Sequence, residues 1–374
     1  PLDGRRWLMK ASAPLYDVII SAAPDPYTLG WNRFYTLEFF DLVKRHLAPG
    51  GVFSMQLSAG GNYVNEEGMD QLNISYRTLK TQFEYVLVVP GQVSTFLASD
   101  QALSLDFPSL LEQQQIQTTY VHPDFFDAMS LTFDSDMLMD RMDPESGSIN
   151  RDMWPRLFFS SLASRESRLG GHTLMASGIV AVFLFVLLLF LFPLRYTGMY
   201  VAGFTGAGIQ ILIIFVLQSL YGFAYMMAPL MITLFMAGIV LGVRVWKPIL
   251  QSPSRPKITA LLWSMAILDA VALLLVKQLL PETAPLLGQV LLGLLNILPG
   301  MIVGSVYAMS VQLSLQNYGA DSGRLYGADL AGAALGSFVP VVFVLPLIGI
   351  ANTFILFCVI NVLTGFYMLL RWQR

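Results

Sequence analysis

The stretch Leu174-Met-Ala-Ser-Gly-Ile-Val-Ala-Val-Phe-Leu-Phe-Val-Leu-Leu-Leu-Phe-Leu-Phe192 contains no charged residue and separates two unlike parts of the chain. A transmembrane α-helix needs about 20 apolar residues to cross the ~30 Å hydrocarbon core of a bilayer. The residues after this stretch form further apolar runs of similar length, whereas the residues before it are typical of a soluble α/β domain. The sequence therefore predicts a membrane protein with an attached soluble domain.

Seven apolar runs are long enough to span a bilayer. They cover residues 174–192, 199–221, 224–246, 258–280, 285–315, 325–345 and 350–370. The fifth run is over-long and contains Pro299 and Gly300, so we expect it to be tilted, kinked or broken. The predicted fold class is a partial Rossmann-like α/β domain (1–120), a connector (121–172) and an all-α bundle of about seven membrane helices (173–374).

The two parts also differ in charge. Up to Gly171 the chain has 13 Lys/Arg and 21 Asp/Glu, and after it 9 and 4. Neither part has the clustered basic stripe that binds nucleic-acid phosphates, so we expect no nucleic-acid partner.

The single cysteine, Cys358, excludes an internal disulfide and a metal site built on thiolates. The histidines, His46, His122 and His172, are not at metal-ligand spacing, so we predict no metal. Because the chain starts at Pro1, we expect it to be a piece of a longer protein.

Two carboxyl groups lie within the apolar runs. Asp269 is near the middle of the fourth run, where translocon scales put the cost of a charge at about 2.5 to 3.5 kcal/mol. It could be a proton or cation relay, or an inward-facing carboxyl that is protonated or hydrogen-bonded to a neighbouring helix. Asp329 lies one turn past Arg324, and we expect a local ion pair or a helix cap there.

Small and amide side chains predict how the bundle packs. Glycines at four-residue spacing allow helix backbones to approach closely in lipid. They form the pairs Gly238/Gly242, Gly300/Gly304 and Gly332/Gly336. Amide side chains in a span must find hydrogen-bond partners, so we expect interhelical bonds from them. These side chains are Gln210, Gln218, Gln289, Asn296 and Asn361.

The basic residues between the seven runs predict an orientation, because cytoplasmic loops carry an excess of Lys and Arg. Eight lie on one side of the predicted membrane: Arg195, Arg244, Lys247, Arg255, Lys257, Arg324, Arg371 and Arg374. Three lie on the other: Arg165, Arg168 and Lys277. The bias predicts that the soluble domain faces away from the cytoplasm.

In the soluble part, the pattern predicts a strand at 16–21, a helix at 34–46 and a strand at 52–57. Strand, crossover helix and strand form the unit of a parallel sheet. A helix at 66–82 and strands at 85–89 and 94–98 follow, so the sheet should have at least four strands. No glycine-rich G-x-G turn precedes them, so we expect the nucleotide-cradling part of such a fold to be missing from this chain.

Several stretches of the soluble part are similar to one family. They are Asp3-Gly4-Arg5, Tyr16-Asp17-Val18-Ile19-Ile20, Asp25-Pro26, Asn32-Arg33-Phe34-Tyr35-Thr36-Leu37-Glu38-Phe39 and Leu47-Ala48-Pro49-Gly50-Gly51-Val52. As a set they resemble the spermidine synthase (polyamine aminopropyltransferase) family. The whole chain resembles its bacterial membrane-fused branch, in which a synthase-like domain is joined to helices similar to part of a major facilitator bundle. Residues 235–242 and 326–336 also resemble that branch.

The resemblance implies roles for a few residues. Asp3 matches the acidic residue that contacts the adenine of decarboxylated S-adenosylmethionine, which would be the cofactor if the domain is active. Asp25 matches the second aspartate of the family's Asp-Ser-Ser-Asp-Pro loop, and Gln56 matches a glutamine lining the amine pocket. The first aspartate of that loop, which removes the proton from the attacking amine, falls on Ala22.

The sequence thus leads to one main functional hypothesis and two alternatives. The main one is a bacterial inner-membrane protein whose synthase-like domain is catalytically degenerate and serves a structural or partner-binding role. The alternatives are an active aminopropyltransferase completed by an upstream segment or partner chain, and a transporter of polyamines or cations. The expected partners are the lipid bilayer and either other membrane subunits or an upstream segment.

Overall fold

The computed structural model describes residues 3–9, 14–59, 64–117, 127–143, 147–168, 173–222, 224–245, 253–280, 283–318 and 322–370. The chain forms two compact units, Pro1–Leu169 and Gly170–Arg374. The boundary lies three residues before the end of the predicted connector.

The first unit contains four strands and seven helices within the described residues. In chain order they are α1 Gly4–Leu8, β1 Tyr16–Ser21, α2 Leu29–Asn32, α3 Leu37–Arg45, β2 Leu47–Leu57, α4 Glu66–Lys80, β3 Tyr85–Val89, β4 Ser94–Ser99, α5 Phe107–Gln113, α6 Ala128–Arg141 and α7 Arg156–Arg168.

The strands form one mixed sheet in the order β1-β2-β4-β3. β1 and β2 are parallel, as the strand-helix-strand pattern predicts, and β4 is antiparallel to both β2 and β3. β2 starts at Leu47, five residues before the predicted start, because Leu47 still pairs with Tyr16. Gly50 adopts a φ of 80° there, and the register shifts between Tyr16 and Val18, so the predicted turn is an irregular start of the strand.

The core of this unit lies between the sheet and helices α3 and α4. Its fully buried side chains include Phe40 and Val43 of α3, Phe53 and Met55 of β2, Leu72 and Leu79 of α4, Val88 of β3 and Phe96 of β4. The N-terminus of α4 is capped by Asn65, whose Oδ1 accepts a hydrogen bond from Gly68 N at 2.9 Å. Such a cap satisfies a backbone donor that the helix itself cannot pair.

Residues of the predicted connector also belong to the first unit. α6 packs on β3, and the Ser135 hydroxyl donates to the carbonyl oxygen of Val88 at 2.8 Å. α7 packs on α4. The buried side chain of Asn150 donates to Asn32 Oδ1 at 3.1 Å and accepts from Leu157 N at 3.2 Å. This segment therefore contributes to the fold of the sheet domain.

The second unit is entirely helical where it is described. Its helices are α8 Thr173–Leu191, α9 Leu194–Tyr221, α10 Ala224–Val245, α11 Arg255–Leu274, α12 Pro285–Tyr318, α13 Ser322–Val339 and α14 Leu345–Leu370. Each coincides with one of the seven predicted runs. α12 is continuous through Pro299, so of the three alternatives for the fifth run a break is excluded, and a tilted or kinked helix remains. At ~1.5 Å per residue its 34 residues exceed the hydrocarbon thickness.

Five described helices are long and apolar enough to cross a membrane: Arg195–Tyr221, Met227–Arg244, Arg255–Leu279, Leu286–Leu315 and Ser322–Leu370. Ala176–Leu189 is a shorter apolar helix. The 49-residue stretch Ser322–Leu370 contains two of the predicted runs. It is interrupted at Gly349, whose φ of 77° is a left-handed conformation that favours glycine.

Packing shows that the chain reverses direction at this interruption. On α13, Gly332 lies against the carbonyl oxygen of Tyr200 of α9, and Gly336 lies against that of Phe204. Residue numbers increase in the same direction along both helices, so α13 and α9 are parallel. On α14, Phe357 contacts Phe204 and Met368 lies against Gly198, so α14 is antiparallel to α9. α13 and the part of α14 that follows Gly349 therefore run antiparallel to each other.

The glycine pairs lie at close helix contacts, as predicted. An added Cβ at Gly238 or Gly242 of α10 would lie 2.2 or 2.1 Å from a carbonyl oxygen of α12. Gly300 and Gly304 of α12 are equally close to α10. Helices can approach this closely only where the side chain is a hydrogen atom.

Candidate functional site

The candidate site lies at the carboxyl ends of β1 and β2. Because the two strands are parallel, the loop that follows β1 and the residues that end β2 meet at the same edge of the sheet, where ligands bind in open α/β sheets. Asp25 of this loop accepts a hydrogen bond at Oδ1 from Ser58 N, at 2.9 Å. This hydrogen bond fixes the Asp25 carboxylate beside the end of β2.

Tyr35 holds the loop against β2. Its hydroxyl lies 2.9 Å from the carbonyl oxygen of Ala23, 3.3 Å from that of Pro24 and 3.1 Å from that of Gln56. Burial raises the pKa of the Tyr35 hydroxyl, and the nearby charge of Asp25 raises it further, so the group remains a donor. The sequence pattern predicted no role for Tyr35. The one signal that could have found it is its position in the family-like stretch at 32–39.

Gln56 is on β2, where it pairs with Thr95 of β4. Its side chain is exposed, whereas both neighbours on the strand, Met55 and Leu57, are buried. The strand alternation thus turns Gln56 away from the core. A side chain in this position is free to contact a ligand at the strand end.

Asp3, which the resemblance places at the adenine, has two contacts within the fold. It is the N-cap of α1, accepting a hydrogen bond from Arg6 N at 3.1 Å. It also forms an ion pair with Arg33 at 3.0 Å. Burial lowers the pKa of the Arg33 guanidinium to about 10, and the charge of Asp3 opposes that shift. The Asp3 carboxylate therefore stabilises a buried cation.

A second buried ion pair lies next to the first. Arg5 donates to Asp152 through both guanidinium nitrogens and to the carbonyl oxygen of Arg33 at 2.7 Å. Thr36 donates to Asp152 Oδ1 at 2.8 Å. Asp152 N donates to Glu38 Oε2 at 3.0 Å. Burial raises the pKa of the Glu38 carboxyl to about 7, and the negative charge of Asp152 adds to the shift.

Sequence reasoning missed this buried group of charges. Asp152 falls in the predicted connector, 147 residues from its partner Arg5. The sequence around Asp152 does not indicate that this residue pairs with Arg5. The charges of Arg5, Asp152, Arg33 and Asp3 are satisfied by one another, which is the usual requirement for burying them.

An apolar cavity of about 440 Å³ lies beside the loop. Its lining includes Gly4, Trp7, Leu8, Tyr16, Val18, Ile19, Ile20, Ser21, Ala22, Ala23, Pro24, Trp31, Phe34 and Phe39. None of these described lining residues carries a charge at neutral pH. The Ala22 position, which in the family-like pattern holds the proton-accepting aspartate, therefore faces an uncharged space.

The cavity lies along β1, which is an edge strand with uncovered apolar side chains. Leu15, Val18 and Ile20 are 60%, 55% and 72% exposed. Strands in parallel pairing are normally covered on both faces, and an apolar edge strand is a template for pairing with another chain. The apolar side chains at this edge of the sheet therefore face water and are not packed against another described element.

In the helical unit, Asp269 of α11 is fully buried and accepts a hydrogen bond from Asn361 Nδ2 of α14 at 3.1 Å. Asn296 of α12 donates to the carbonyl oxygen of Met231 of α10 at 2.5 Å. Both asparagines thus make the interhelical bonds that were predicted. Among the described residues, no group of three His, Cys, Asp or Glu side chains could hold a metal ion.

Asp329 lies inside α13, so it is not a helix cap. It faces α9 at Gly203, where an added Cβ would lie 2.7 Å from Asp329 Oδ1. The predicted basic side includes Lys247, Arg371 and Arg374, which lie outside the described residues. His122 and His172 lie outside them as well.

Comparison with known proteins shows a similarity that is confined to the N-terminal part of the chain. Residues 2–99 match the spermine/spermidine synthase domain. The chain is 43% identical over 44 residues to a polyamine aminopropyltransferase of Oceanobacillus iheyensis. The matched stretch is 12% of this chain and 9% of that protein, so the chain spans less than a tenth of the length of this curated relative.

Proposed function

Because the N-terminal domain of this chain is spermidine synthase-like, we propose that the chain is an integral membrane protein whose synthase-like domain does not catalyse aminopropyl transfer. The domain then serves as a structural or partner-binding module. The observation that carries the proposal is Ala22, which lies in an uncharged cavity at the loop where the family-like pattern has a proton acceptor. The exposed edge of β1 supports a partner-binding role.

The chemistry of the transfer explains why Ala22 matters. An amine is cationic at neutral pH, so it must lose a proton before its nitrogen can attack the carbon next to a sulfonium. A positioned general base contributes about 10²- to 10⁴-fold to such a step. The methyl group of Ala22 can neither bind the ammonium nor accept its proton.

Asp25 is the nearest carboxylate in sequence that could replace the missing base. Its Oδ1 accepts from Ser58 N, and Asp25 is not among the described residues that line the cavity at Ala22. Catalysis by a base depends on placing it within hydrogen-bond reach of the reacting nitrogen. The position of Asp25 therefore supports a role in closing the loop against β2.

The test is turnover of putrescine with decarboxylated S-adenosylmethionine by the full-length protein in detergent, measured as released methylthioadenosine. We expect no product above the protein-free background. Restoring the carboxylate with Ala22→Asp should not produce activity, and Ala23→Asp, which places a charge one residue along the loop, is its matched control. Turnover by the unmodified protein that disappears in Asp25→Asn would overturn the proposal.

The second candidate is a working aminopropyltransferase completed by an upstream segment or a partner chain. The uncovered apolar edge of β1 favours it, because a further strand there would cover Val18 and Ile20. Calorimetric titration with decarboxylated S-adenosylmethionine separates this candidate from the first. Saturable binding by the full-length protein supports the enzyme, and no heat of binding supports the degenerate domain.

The third candidate is a transporter of polyamines or another cation in a bacterial inner membrane. The buried carboxyl of Asp269, on a helix that is long and apolar enough to cross a membrane, favours it. Uptake of labelled putrescine into cells expressing Asp269→Asn at an unchanged level is the measurement. Loss of uptake supports transport, and unchanged uptake removes Asp269 as its basis.

The proposed orientation places the soluble domain on the non-cytoplasmic side, following the bias of eight basic residues against three. The parallel packing of α9 with α13 and the antiparallel packing of α9 with α14 after Gly349 are as expected for helices that cross the membrane in alternating directions. Protease added to intact spheroplasts should cleave the soluble domain if this orientation is correct. Cleavage that requires lysis would reverse it.

A further inference from the structure

The helical unit contains a buried polar cluster to which three helices contribute. Asp269 of α11, Asn361 of α14 and Thr205 of α9 each have 0% exposure. Asn361 Nδ2 donates to Asp269 Oδ2 at 3.1 Å, and the Thr205 hydroxyl lies 3.1 Å from Asn361 Oδ1. We name these three residues the Asp269 cluster.

The hydrogen bonds of the cluster run in one direction. The Thr205 hydroxyl has one hydrogen, which it can donate either to Asn361 Oδ1 or to the carbonyl oxygen of Val201 at 2.9 Å. The Asn361 amide accepts with its oxygen and donates with its nitrogen. The chain of bonds therefore ends at Asp269 Oδ2, which acts as an acceptor.

The other carboxyl oxygen has no such partner. Asp269 Oδ1 is buried and makes no hydrogen bond within the described part of the chain. No salt bridge to Asp269 occurs among the described residues either. Cys358 of α14 is a titratable group whose charge would act on Asp269. A thiolate there would add negative charge, so it could not compensate the carboxylate.

An ionised Asp269 would thus be a buried anion with a single hydrogen bond. The penalty for burying an unpaired ion in a protein remains large even after the surroundings relax, and one hydrogen bond to a charged group offsets only part of it. The balance favours a positive charge at Oδ1, supplied by a bound proton or by a small cation.

We infer that the Asp269 cluster is a binding site for a monovalent cation, a proton or an alkali-metal ion, held at Asp269 Oδ1. The bond from Asn361 suits both, because Oδ2 remains an acceptor in the neutral acid and in the cation-bound carboxylate. When the Thr205 hydroxyl donates to Asn361 Oδ1, it holds the amide in the orientation that makes this bond. The site does not depend on the state of the synthase-like domain, and cation binding does not by itself require transport.

Infrared spectroscopy of the full-length protein in lipid nanodiscs tests this site, because the carbonyl stretch of a protonated carboxyl is separate from that of a carboxylate. Spectra of the unmodified protein and Asp269→Asn are compared at neutral pH in choline chloride and in sodium or potassium chloride. A protonated-carboxyl band that is lost in Asp269→Asn and equal in all salts identifies a proton. A band present in choline that decreases as sodium or potassium is added identifies an alkali ion.

Two further variants make the assignment specific. Asp329→Asn removes the other described carboxyl within a candidate span, and it should leave the Asp269 band in place. Thr205→Val or Asn361→Leu weakens or removes the bond to Oδ2, so the Asp269 band should move to higher wavenumber. A merely structural role for these residues would alter stability without moving that band.

Gel filtration and thermal unfolding first establish whether Asp269→Asn folds as the unmodified protein does. The inference is wrong if the variant folds and its infrared spectrum in the protonated-carboxyl region is identical to that of the unmodified protein in every salt. If Asp269→Asn does not fold, the shift in Thr205→Val decides. An unshifted band in a folded Thr205→Val and in a folded Asn361→Leu also overturns the inference.

Discussion

Replacing Gly332 with alanine tests the helix packing of the second unit directly. A Cβ at this position of α13 would lie 2.0 Å from the carbonyl oxygen of Tyr200 and 3.0 Å from Phe204 N, both on α9. Non-bonded heavy atoms are at their optimum at about 3.5 to 4.0 Å. The obstructing atoms belong to the backbone, so the helices must move apart by roughly 1 Å or more to admit the methyl group.

The same helix offers a matched control. Gly327 of α13 has no atom within 4 Å of an added Cβ. Glycine costs about 0.8 to 1.0 kcal/mol relative to alanine in a helix interior, so Gly327→Ala should be stabilising by up to that amount. At Gly332 the same gain is opposed by overpacking, which typically costs about 1 to 3 kcal/mol. The two substitutions should therefore change stability in opposite directions.

Thermal unfolding of the purified protein in detergent measures the difference. For a unit of this size, 1 kcal/mol shifts Tm by roughly 2 to 4 °C. We expect Gly332→Ala to lower Tm by a few degrees and Gly327→Ala to leave it unchanged or raise it. Gly336→Ala should behave like Gly332→Ala, because its Cβ would lie 2.0 Å from the Phe204 carbonyl oxygen. Equal shifts at Gly327 and Gly332 would refute the close contact of α13 with α9.

Three predictions concern the first unit. Because burial raises the pKa of Glu38 from 4.5 to about 7, its stabilisation is complete below about pH 4.5 and is lost as the pH rises through 7. Limited proteolysis of the soluble domain should therefore accelerate as the pH rises from about 4.5 to 7 and change no further above pH 7, and Glu38→Gln should remove that dependence; a pH-independent rate in the unmodified protein would contradict it. Asn150→Ala removes three side-chain hydrogen bonds from a residue with 0% exposure, so it should destabilise the domain by about 2 to 4 kcal/mol, seen as a lower urea midpoint for protease resistance. Tyr35→Phe removes the hydroxyl that bonds the loop to β2, so cleavage in the loop should become faster while the free energy of unfolding falls by about 1 kcal/mol or less; unchanged cleavage would show that the loop is held by other contacts.

The sequence predicted the regular elements of this fold because their signals are local. Apolar runs of about twenty residues identified the seven helices named above among the described residues of the second unit, and short runs bounded by turn residues identified the four strands described in the first. The boundary between the last two runs is also marked by a single residue, because it contains Gly349, which adopts a left-handed φ. The helix directions also follow from the short connections between consecutive helices.

What the sequence could not predict depends on contacts between distant residues. Asp152 pairs with Arg5 across 147 residues, and Asn150 bonds to Asn32 across 118. Both residues lie in a stretch without a clear hydrophobic period, so the sequence predicts a connector there. In the structure, these two residues instead satisfy polar groups that are buried elsewhere in the domain. A pattern along the chain cannot show which distant donor lacks an acceptor.

The residues that resemble a catalytic site have contacts that would be needed without catalysis. Asp3 caps α1 and pairs with the buried Arg33, Asp25 binds the backbone of Ser58, and the carbonyl oxygen of Gln56 accepts from Tyr35. Each contact satisfies a polar group that the fold itself buries or leaves at a strand end. The Asp3 and Asp25 side chains are therefore equally expected in an active enzyme and in an inactive scaffold. Only a group whose sole purpose is to accept a proton from the substrate distinguishes the two, and at the position that the resemblance assigns to that group the chain has Ala22.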